Sequence, residues 1–239
     1  MLPKLIAHRG ARKYAPENTL AALKKAAELG ATWVEFDVQL DSRHEPIIFH
    51  DTKLNRTTNG RGLISRTPYS VIRQLDAGSW FGSEFSGEVV PTLEEWLRLA
   101  AELKLGINLE MKARKGSAAL LAETVVTYLN RYWKAGNIAP IVSSSSVDCL
   151  MQVKKRAPHF LLGFISDAWS SQWQKTLSRL DAVSLHLNHR VLNKKRVQDL
   201  KNENYLVLAY TVNDKQRAYE LFEMGVDAIF SDDPLLLNS

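Results

Sequence analysis

The sequence predicts an α/β fold, a (β/α)8 TIM barrel with a small insertion after the second strand. Three observations carry that expectation. Short apolar runs alternate with amphipathic stretches almost to the end of the chain, the pattern of parallel strands joined by helical crossovers. Eight principal runs of this kind occur, and 239 residues come close to the ~250 that such a barrel typically uses. No G-x-G-x-x-G or P-loop motif appears, which weakens an open nucleotide-binding sheet.

The elements follow in order. Residues 5–8 form the first strand, and 17–29 a helix with apolar Leu20, Leu23, Ala26 and Ala27, closed by Gly30 as a left-handed cap. Residues 32–41 alternate strictly: Val34, Phe36, Val38 and Leu40 point one way, Trp33, Glu35, Asp37 and Gln39 the other. After a polar turn at 42–45, residues 46–50 can fold back as an antiparallel extension. The rhythm then breaks. Residues 51–91 are turn-rich and lack helical periodicity, so they read as an insertion, and long insertions tend to be functional. Thr92 with Glu95 three residues on opens a helix to residue 103 through a capping box. Strands at 106–111, 137–143, 160–165, 182–187, 205–212 and 226–231 then alternate with helices at 117–133, 147–156, 169–179, 194–203 and 214–224. No linker rich in Pro, Gly or Ser interrupts them, so the expectation is one barrel domain over 1–239 with an insertion at 51–91.

Composition narrows the class of function. With 45% hydrophobic and 24% charged residues the chain is ordinary globular material, not disordered or fibrous. The net charge of +5 is mild, and the basic run Lys154, Lys155, Arg156 has no interleaved aromatics. It reads as a solvated helix end, so no nucleic-acid partner is expected, and the positive balance suits a small anionic substrate. A single cysteine, Cys149, excludes an internal disulfide framework and a multi-cysteine zinc site, and fits a reducing compartment. The first residues run straight into a strand without the apolar core of a signal peptide, and no run approaches the ~20 apolar residues of a membrane span. A soluble, cytoplasmic protein is expected.

In a barrel of this kind catalytic groups gather at the C-terminal ends of the strands. His8 and Arg9 end the first, Glu35 and Asp37 lie toward the end of the second, and His50 ends its extension. Glu110 and Lys112 end the third, Thr211 and Asn213 the seventh, Ser231 and Asp232 the eighth. Buried carboxylates on one strand face cost several kcal/mol unless a cation or hydrogen-bond donors compensate. Glu35, Asp37 and Glu110 are three hard oxygen donors, the set preferred by Mg²⁺ or Ca²⁺ over zinc. Arg9 and Lys112 supply fixed positive charge for a phosphate. His8 and His50 titrate near neutrality, so one can accept a proton while the other donates one. Together these residues describe metal-assisted cleavage of a phosphate ester.

Other polar residues have plainer readings. Glu17 can simply begin a helix, and Asp76, Asp148 and Asp167 suit turns or caps. His186 and His189 are candidates only for the lining of the site mouth, and His44 and His159 for exposed loops. The tryptophans read as packing, though Trp80 and Phe81 in the insertion can meet an alcohol group.

At the level of motifs the chain resembles the glycerophosphodiester phosphodiesterase family, with its closest likeness to the cytoplasmic bacterial branch. The matching motifs are H-R-G at 8–10, P-E-N-T at 16–19, E-F-D at 35–37, H-D at 50–51, R-T-T-N-G at 56–60, D-A-G-S-W-F at 76–81, P-T-L-E-E at 91–95, E-M-K at 110–112, T-V-N at 211–213 and G-V-D at 225–227. Many relatives have Trp where this chain has Tyr210. The resemblance implies hydrolysis of glycerophosphodiesters to glycerol 3-phosphate and an alcohol, dependent on one divalent cation, Mg²⁺ or Ca²⁺. It also implies that Glu35, Asp37 and Glu110 hold the metal, that His8 and His50 act as acid and base, and that Arg9 and Lys112 bind phosphate. Attack by the neighbouring glycerol hydroxyl, through a cyclic phosphate, is the expected chemistry. The rival readings are a phospholipase D-like enzyme acting on lysophospholipids, which needs an apolar groove, and a non-catalytic phosphate-binding barrel.

Overall fold

The computed structural model describes residues 2–134 and 136–238. The ends of the expected 1–239 unit, Met1 and Ser239, lie outside them. Eight parallel strands close into a ring: β1 (Leu5–His8), β2 (Trp33–Leu40), β4 (Gly106–Met111), β5 (Ile141–Ser144), β6 (Leu161–Ser166), β7 (Ser184–Asn188), β8 (Leu206–Tyr210) and β9 (Ala228–Ser231). Pairing of β1 with both β2 and β9 completes the ring, so no strand edge is left open. The chain is a (β/α)8 TIM barrel.

The short strand β3 (Pro46–Ile48) pairs antiparallel with the upper end of β2, matching Val38 to Ile48 and Leu40 to Pro46. Around the ring lie α1 (Leu20–Glu28), α3 (Leu93–Glu102), α4 (Ala118–Tyr132), α5 (Val147–Arg156), α6 (Trp173–Leu180), α7 (Lys194–Asn202) and α8 (Lys215–Met224), with a one-turn α2 (Tyr69–Ile72) in the segment after β3. The helix starts follow local chemistry. Thr92 and Glu95 form the expected capping box on α3, and Thr19, Ser146, Asn193 and Asp214 each accept a backbone N–H at the first turn of α1, α5, α7 and α8. Gly30 follows α1 in the left-handed region, φ +83°, as its position after the apolar stripe predicts.

The alternation of β2 separates two packing layers. Val34, Phe36 and Val38 face the helices, where Phe36 meets the fully buried Trp96 with ring centroids 4.9 Å apart. Inside the ring, Ile6, Trp33, Ile141, Leu208, Ala228 and Phe230 form a separate apolar cluster. A Cβ on Gly106 would come within 2.3 Å of the Trp33 indole, so the glycine makes room for that ring. Trp33 lies four residues before Asp37 on the same strand face, so one face of β2 runs from an apolar floor to a charged rim.

Residues 49–91 build a small apolar cluster of their own from Phe49, Leu54, Ile64, Ile72, Ala77 and Val90, together with Ile47 of β3. The Asp41 carboxylate ties the turn before β3 to this segment, accepting the backbone N–H groups of Arg43, Glu45 and Tyr69. Among the described residues, no helix is long and apolar enough to cross a membrane.

Three boundaries differ from the sequence reading by three residues or more, one of them the helix expected from residue 169, which begins at Trp173. The helix expected from residue 17 begins at Leu20, because Pro16, Glu17 and Asn18 form a buried turn with Asn18 at φ +59°. The strand expected from residue 137 begins at Ile141, where pairing with Asn108 of β4 first becomes available.

Candidate active site

At the C-terminal mouth of the barrel a cavity of about 220 Å³ is lined by His8, Arg9, Glu35, His50, Glu110 and Lys112 on one side, and by Ile165, His186, Tyr210, Thr211 and Phe230 on the other. Six of the seven residues singled out from the sequence line it. The seventh, Asp37, lies beside them, with Arg9 and Lys112 next to its carboxylate.

Strand register explains the convergence. His8 sits opposite Glu35, and Asp37 opposite Glu110, on adjacent parallel strands. Inward-facing residues at these positions must meet. Carboxylate oxygens of Glu35, Asp37 and Glu110 lie within 4.8 Å of one another. Burial pushes the Glu35 carboxyl well above its ordinary range, and the charges of Asp37 and Glu110 push it further. Burial and the charge of Asp37 move Glu110 up as well. Burial would raise Asp37 too, but Arg9, Lys112 and His50 hold it below the usual carboxylate range. Glu35 Oε1 and Asp37 Oδ1 are buried without a hydrogen-bond partner among the described residues. Unsatisfied carboxylate oxygens are costly in a protein interior. Three hard donors, two of them orphaned, fit a divalent cation.

The histidines are held alike. His8 Nδ1 is 2.7 Å from Asp232 Oδ1, and His50 Nδ1 is 2.7 Å from Asp51 Oδ1. Hydrogen bonds from Arg56 and His50 keep Asp51 at about 2, and the His8 contact, against burial, keeps Asp232 at about 2. Both partners are therefore ionised acceptors, which places a proton on each Nδ1 and leaves each Nε2 toward the cavity. Burial lowers both imidazoles below their ordinary value. The His50 backbone is also fixed: inward-facing Gln39 donates to the carbonyls of Phe49 and Asp51, each at 2.8 Å.

Arg9 lies in the left-handed region, φ +54°, followed by Gly10 at φ +80°. A Cβ on Gly10 would sit 2.7 Å from the Ala22 backbone, so this turn admits only glycine there. The Arg9 N–H donates to Glu35 Oε2 at 3.0 Å, its Nη1 donates to Glu17 at 2.7 Å, and its Nε lies 3.2 Å from Asp37. Lys112 Nζ donates to Glu110 at 2.8 Å and lies 3.6 Å from Asp37. Both cations thus flank Asp37 and line the cavity beside Glu35 and Glu110.

Several residues were read differently from sequence. Glu17 is not a helix start: its carboxylate is 2% exposed and is held by Arg9, Arg12 and Arg56. Asp167 does more than turn the chain, since it accepts the Tyr210 hydroxyl at 3.0 Å and lines the cavity. His186 lines the cavity, whereas His189 sits beside Arg217 away from it. Asp76 organises a turn, accepting the N–H groups of Gly78, Ser79 and Gly87. Trp80, 42% exposed, packs edge-on against Phe81, and neither lines the cavity. Asn18, which donates to Asp37 at 2.9 Å, carries no local signal beyond its place in the P-E-N-T motif, and Asn108, whose Oδ1 is buried without a hydrogen-bond partner among the described residues, carries none.

Comparison with known proteins gives the family. Residues 8–236 match the model of the glycerophosphoryl diester phosphodiesterase family. The chain is 35% identical over 231 residues to a glycerophosphodiester phosphodiesterase of Caldanaerobacter subterraneus, covering 96% of this chain and 94% of that one. It is 30% identical over 236 residues to a glycerophosphodiester phosphodiesterase of Bacillus altitudinis, covering 98% and 96%. Among solved structures it resembles an Oleispira antarctica phosphodiesterase in complex with the product sn-glycerol-3-phosphate, with TM-score 0.96, 40% identity and coverage of 100% and 98%. With the match running nearly end to end, the chain belongs to the glycerophosphoryl diester phosphodiesterase family.

Proposed function

We propose that this chain hydrolyses glycerophosphodiesters to glycerol 3-phosphate and an alcohol, with His8 and His50 as the acid and base pair. The observation that carries the reading is the placement of two carboxylate-held imidazoles on one cavity with an acidic triad. The product bound to the Oleispira relative supports the same substrate class.

Glu35, Asp37 and Glu110 would hold one divalent cation, Mg²⁺ or Ca²⁺, which supplies neutralising charge for the phosphoryl oxygens. Arg9 and Lys112, which line the cavity, would bind the phosphate oxygens. One histidine takes the proton of the neighbouring glycerol hydroxyl through Nε2 as that oxygen forms a bond to phosphorus. The phosphorus–oxygen bond to the alcohol breaks, and the other histidine, which enters the cycle as an imidazolium protonated on both Nδ1 and Nε2 beside its carboxylate, gives its Nε2 proton to the departing oxygen. Water then opens the cyclic phosphate with the two roles exchanged. Over the whole chain, residues 51–91 form an insertion in a single barrel unit, and its first residue, Asp51, meets the His50 ring.

The apolar side chains after β3 pack on one another, so they supply no groove for an acyl chain, which favours small head groups over lysophospholipids. The test is release of glycerol 3-phosphate from several glycerophosphodiesters, with and without chelator, for the wild type and His50→Ala. Release that needs the divalent ion and is lost in the variant is expected. Undiminished turnover after complete chelation, or in His50→Ala, would overturn the reading, and a substrate lacking the neighbouring hydroxyl that turns over at full rate would replace the cyclic route by direct attack of water.

A further inference from the structure

Glu17 has more ionic partners than any triad carboxylate, yet it touches neither histidine. Its Oε1 accepts from Arg9 Nη1 at 2.7 Å and Arg56 Nη2 at 2.8 Å, and its Oε2 from Arg12 Nε at 2.9 Å and Arg56 Nη1 at 2.8 Å. Arg56 turns its other edge to Asp51, donating from Nε and Nη2 at 2.8 Å each. Its guanidinium plane is therefore clamped between two carboxylates, a geometry that lysine cannot reproduce. Asp51 in turn accepts from His50 Nδ1. On the other branch Arg12 Nη1 reaches both Asp232 oxygens at 3.4 Å, and Asp232 holds His8.

The two branches are unequal. Asp232 has a second support in Asn213, whose Nδ2 donates to it at 2.7 Å and whose Oδ1 accepts its backbone N–H at 2.9 Å. The Asp51 carboxylate has no partners besides His50 and Arg56 among the described residues. Gln39 fixes the backbone around His50 but not its ring. Ring orientation at His50 thus depends on Arg56, and Arg56, 41% exposed at its side chain, depends on the buried anchor at Glu17.

We propose that Glu17 is a positioning residue that fixes the ring of His50 through Arg56 and Asp51, and more weakly that of His8 through Arg12 and Asp232. This rests on the assignment of the histidines above, and it adds that both are set from one carboxylate on the loop before α1. Glu17→Gln keeps the volume but removes the charge that aligns three guanidinium groups.

Two measurements on the full chain test it. Steady-state turnover of a glycerophosphodiester with Mg²⁺ present is expected to lose at least tenfold in kcat in Glu17→Gln while KM moves less than threefold. Arg56→Lys should reproduce that loss, and the double variant should be no worse than the poorer single one, as for members of one unit. Imidazole ¹⁵N spectra should show the Nδ1-protonated form of His50 giving way to mixed tautomers in both variants, with a smaller change at His8 and none at His186. Wild-type tautomer signals at His50, a loss confined to KM, or losses that multiply in the double variant would overturn the proposal. If Glu17→Gln fails to fold, Arg56→Lys decides by the same signal. Full activity in His50→Ala would remove the catalytic assignment alone, because the tautomer signal still reports whether Glu17 sets the ring.

Discussion

The two walls of the cavity are built from equivalent ends of equivalent strands, yet they differ in kind. On the wall made by β1, β2, β4 and the chain after β3, nearly every inward group is ionisable: His8, Arg9, Glu35, Asp37, His50, Glu110 and Lys112. On the wall made by β6 to β9 the groups are Ile165, His186, Tyr210, Thr211 and Phe230, with Asp167 the one carboxylate among the described residues that line this side of the cavity, already paired to the Tyr210 hydroxyl. His186 belongs to the neutral side despite being an imidazole. Burial drives it down to about 3, Ser184 engages its Nε2 at 2.9 Å, and Phe230 lies 5.2 Å away. The barrel thus imposes no charge on its mouth. Charge is concentrated where three adjacent strands carry it, facing a low-polarity wall that leaves those charges poorly screened. On the proposed function, such asymmetry orients a substrate with its phosphate to one side and its uncharged arm to the other.

The largest expected effect lies on the charged wall. Glu35→Gln should lower kcat about a thousandfold, the scale of losing a direct electrostatic contribution to the transition state. The same variant should melt at a higher temperature than the wild type when divalent ions are absent, because it removes a buried charge crowded by Asp37 and Glu110. Lower stability under those conditions would mean that the triad is satisfied by the protein alone.

Stripping divalent ions comes next. Chelation should lower the melting temperature of the wild type, by about 2.7 kcal/mol of stability if the ion had been present at a hundredfold over its dissociation constant. Glu35→Gln should show little of this dependence. An ion effect of equal size in the variant would move the binding site away from the triad.

The neutral wall makes a pH prediction. His186 has a folded value near 3, below its ordinary 6.5, so the unfolded chain takes up a proton that the folded chain refuses. Its contribution is present in full above pH 6.5 and is lost as pH falls toward 3. Between pH 7 and pH 5 this amounts to about 2 kcal/mol, and urea titrations should show a shallower decline in His186→Gln. An unchanged slope would place the imidazole in a more polar setting than the contacts indicate.

The smallest effect belongs to Tyr210→Phe, which removes the hydrogen bond to Asp167 at 3.0 Å. Stability should change by about 1 kcal/mol and kcat by less than fivefold. A loss on the scale of Glu35→Gln would erase the distinction between the walls.

Much of this was legible in the residues. Strand alternation put Glu35 and Asp37 on one face with Trp33, and the spacing of Glu110 and Lys112 around Met111 placed them at a barrel strand end, where function collects. The capping box at Thr92 and Glu95 is local chemistry and formed as read. Glu17 and Asp167 were misjudged for a common reason. A carboxylate near a helix start or in a turn looks the same in sequence whether it faces solvent or three arginines. Glu17 meets Arg56 across 39 residues, and Asp232 meets His8 across 224.

By itself the sequence determined the period of each element and the direction of its side chains, and hence that Glu35 and Asp37 share one strand face, since pleat and helical pitch are set by the backbone within a few residues. Only ring closure decided which distant groups became partners: the pairing of β1 with β9 that brings Asp232 to His8, and the docking of the segment after β3 that seats Arg56 on Glu17. Those contacts depend on where strands far apart in the chain come to rest, and no local pattern encodes that distance.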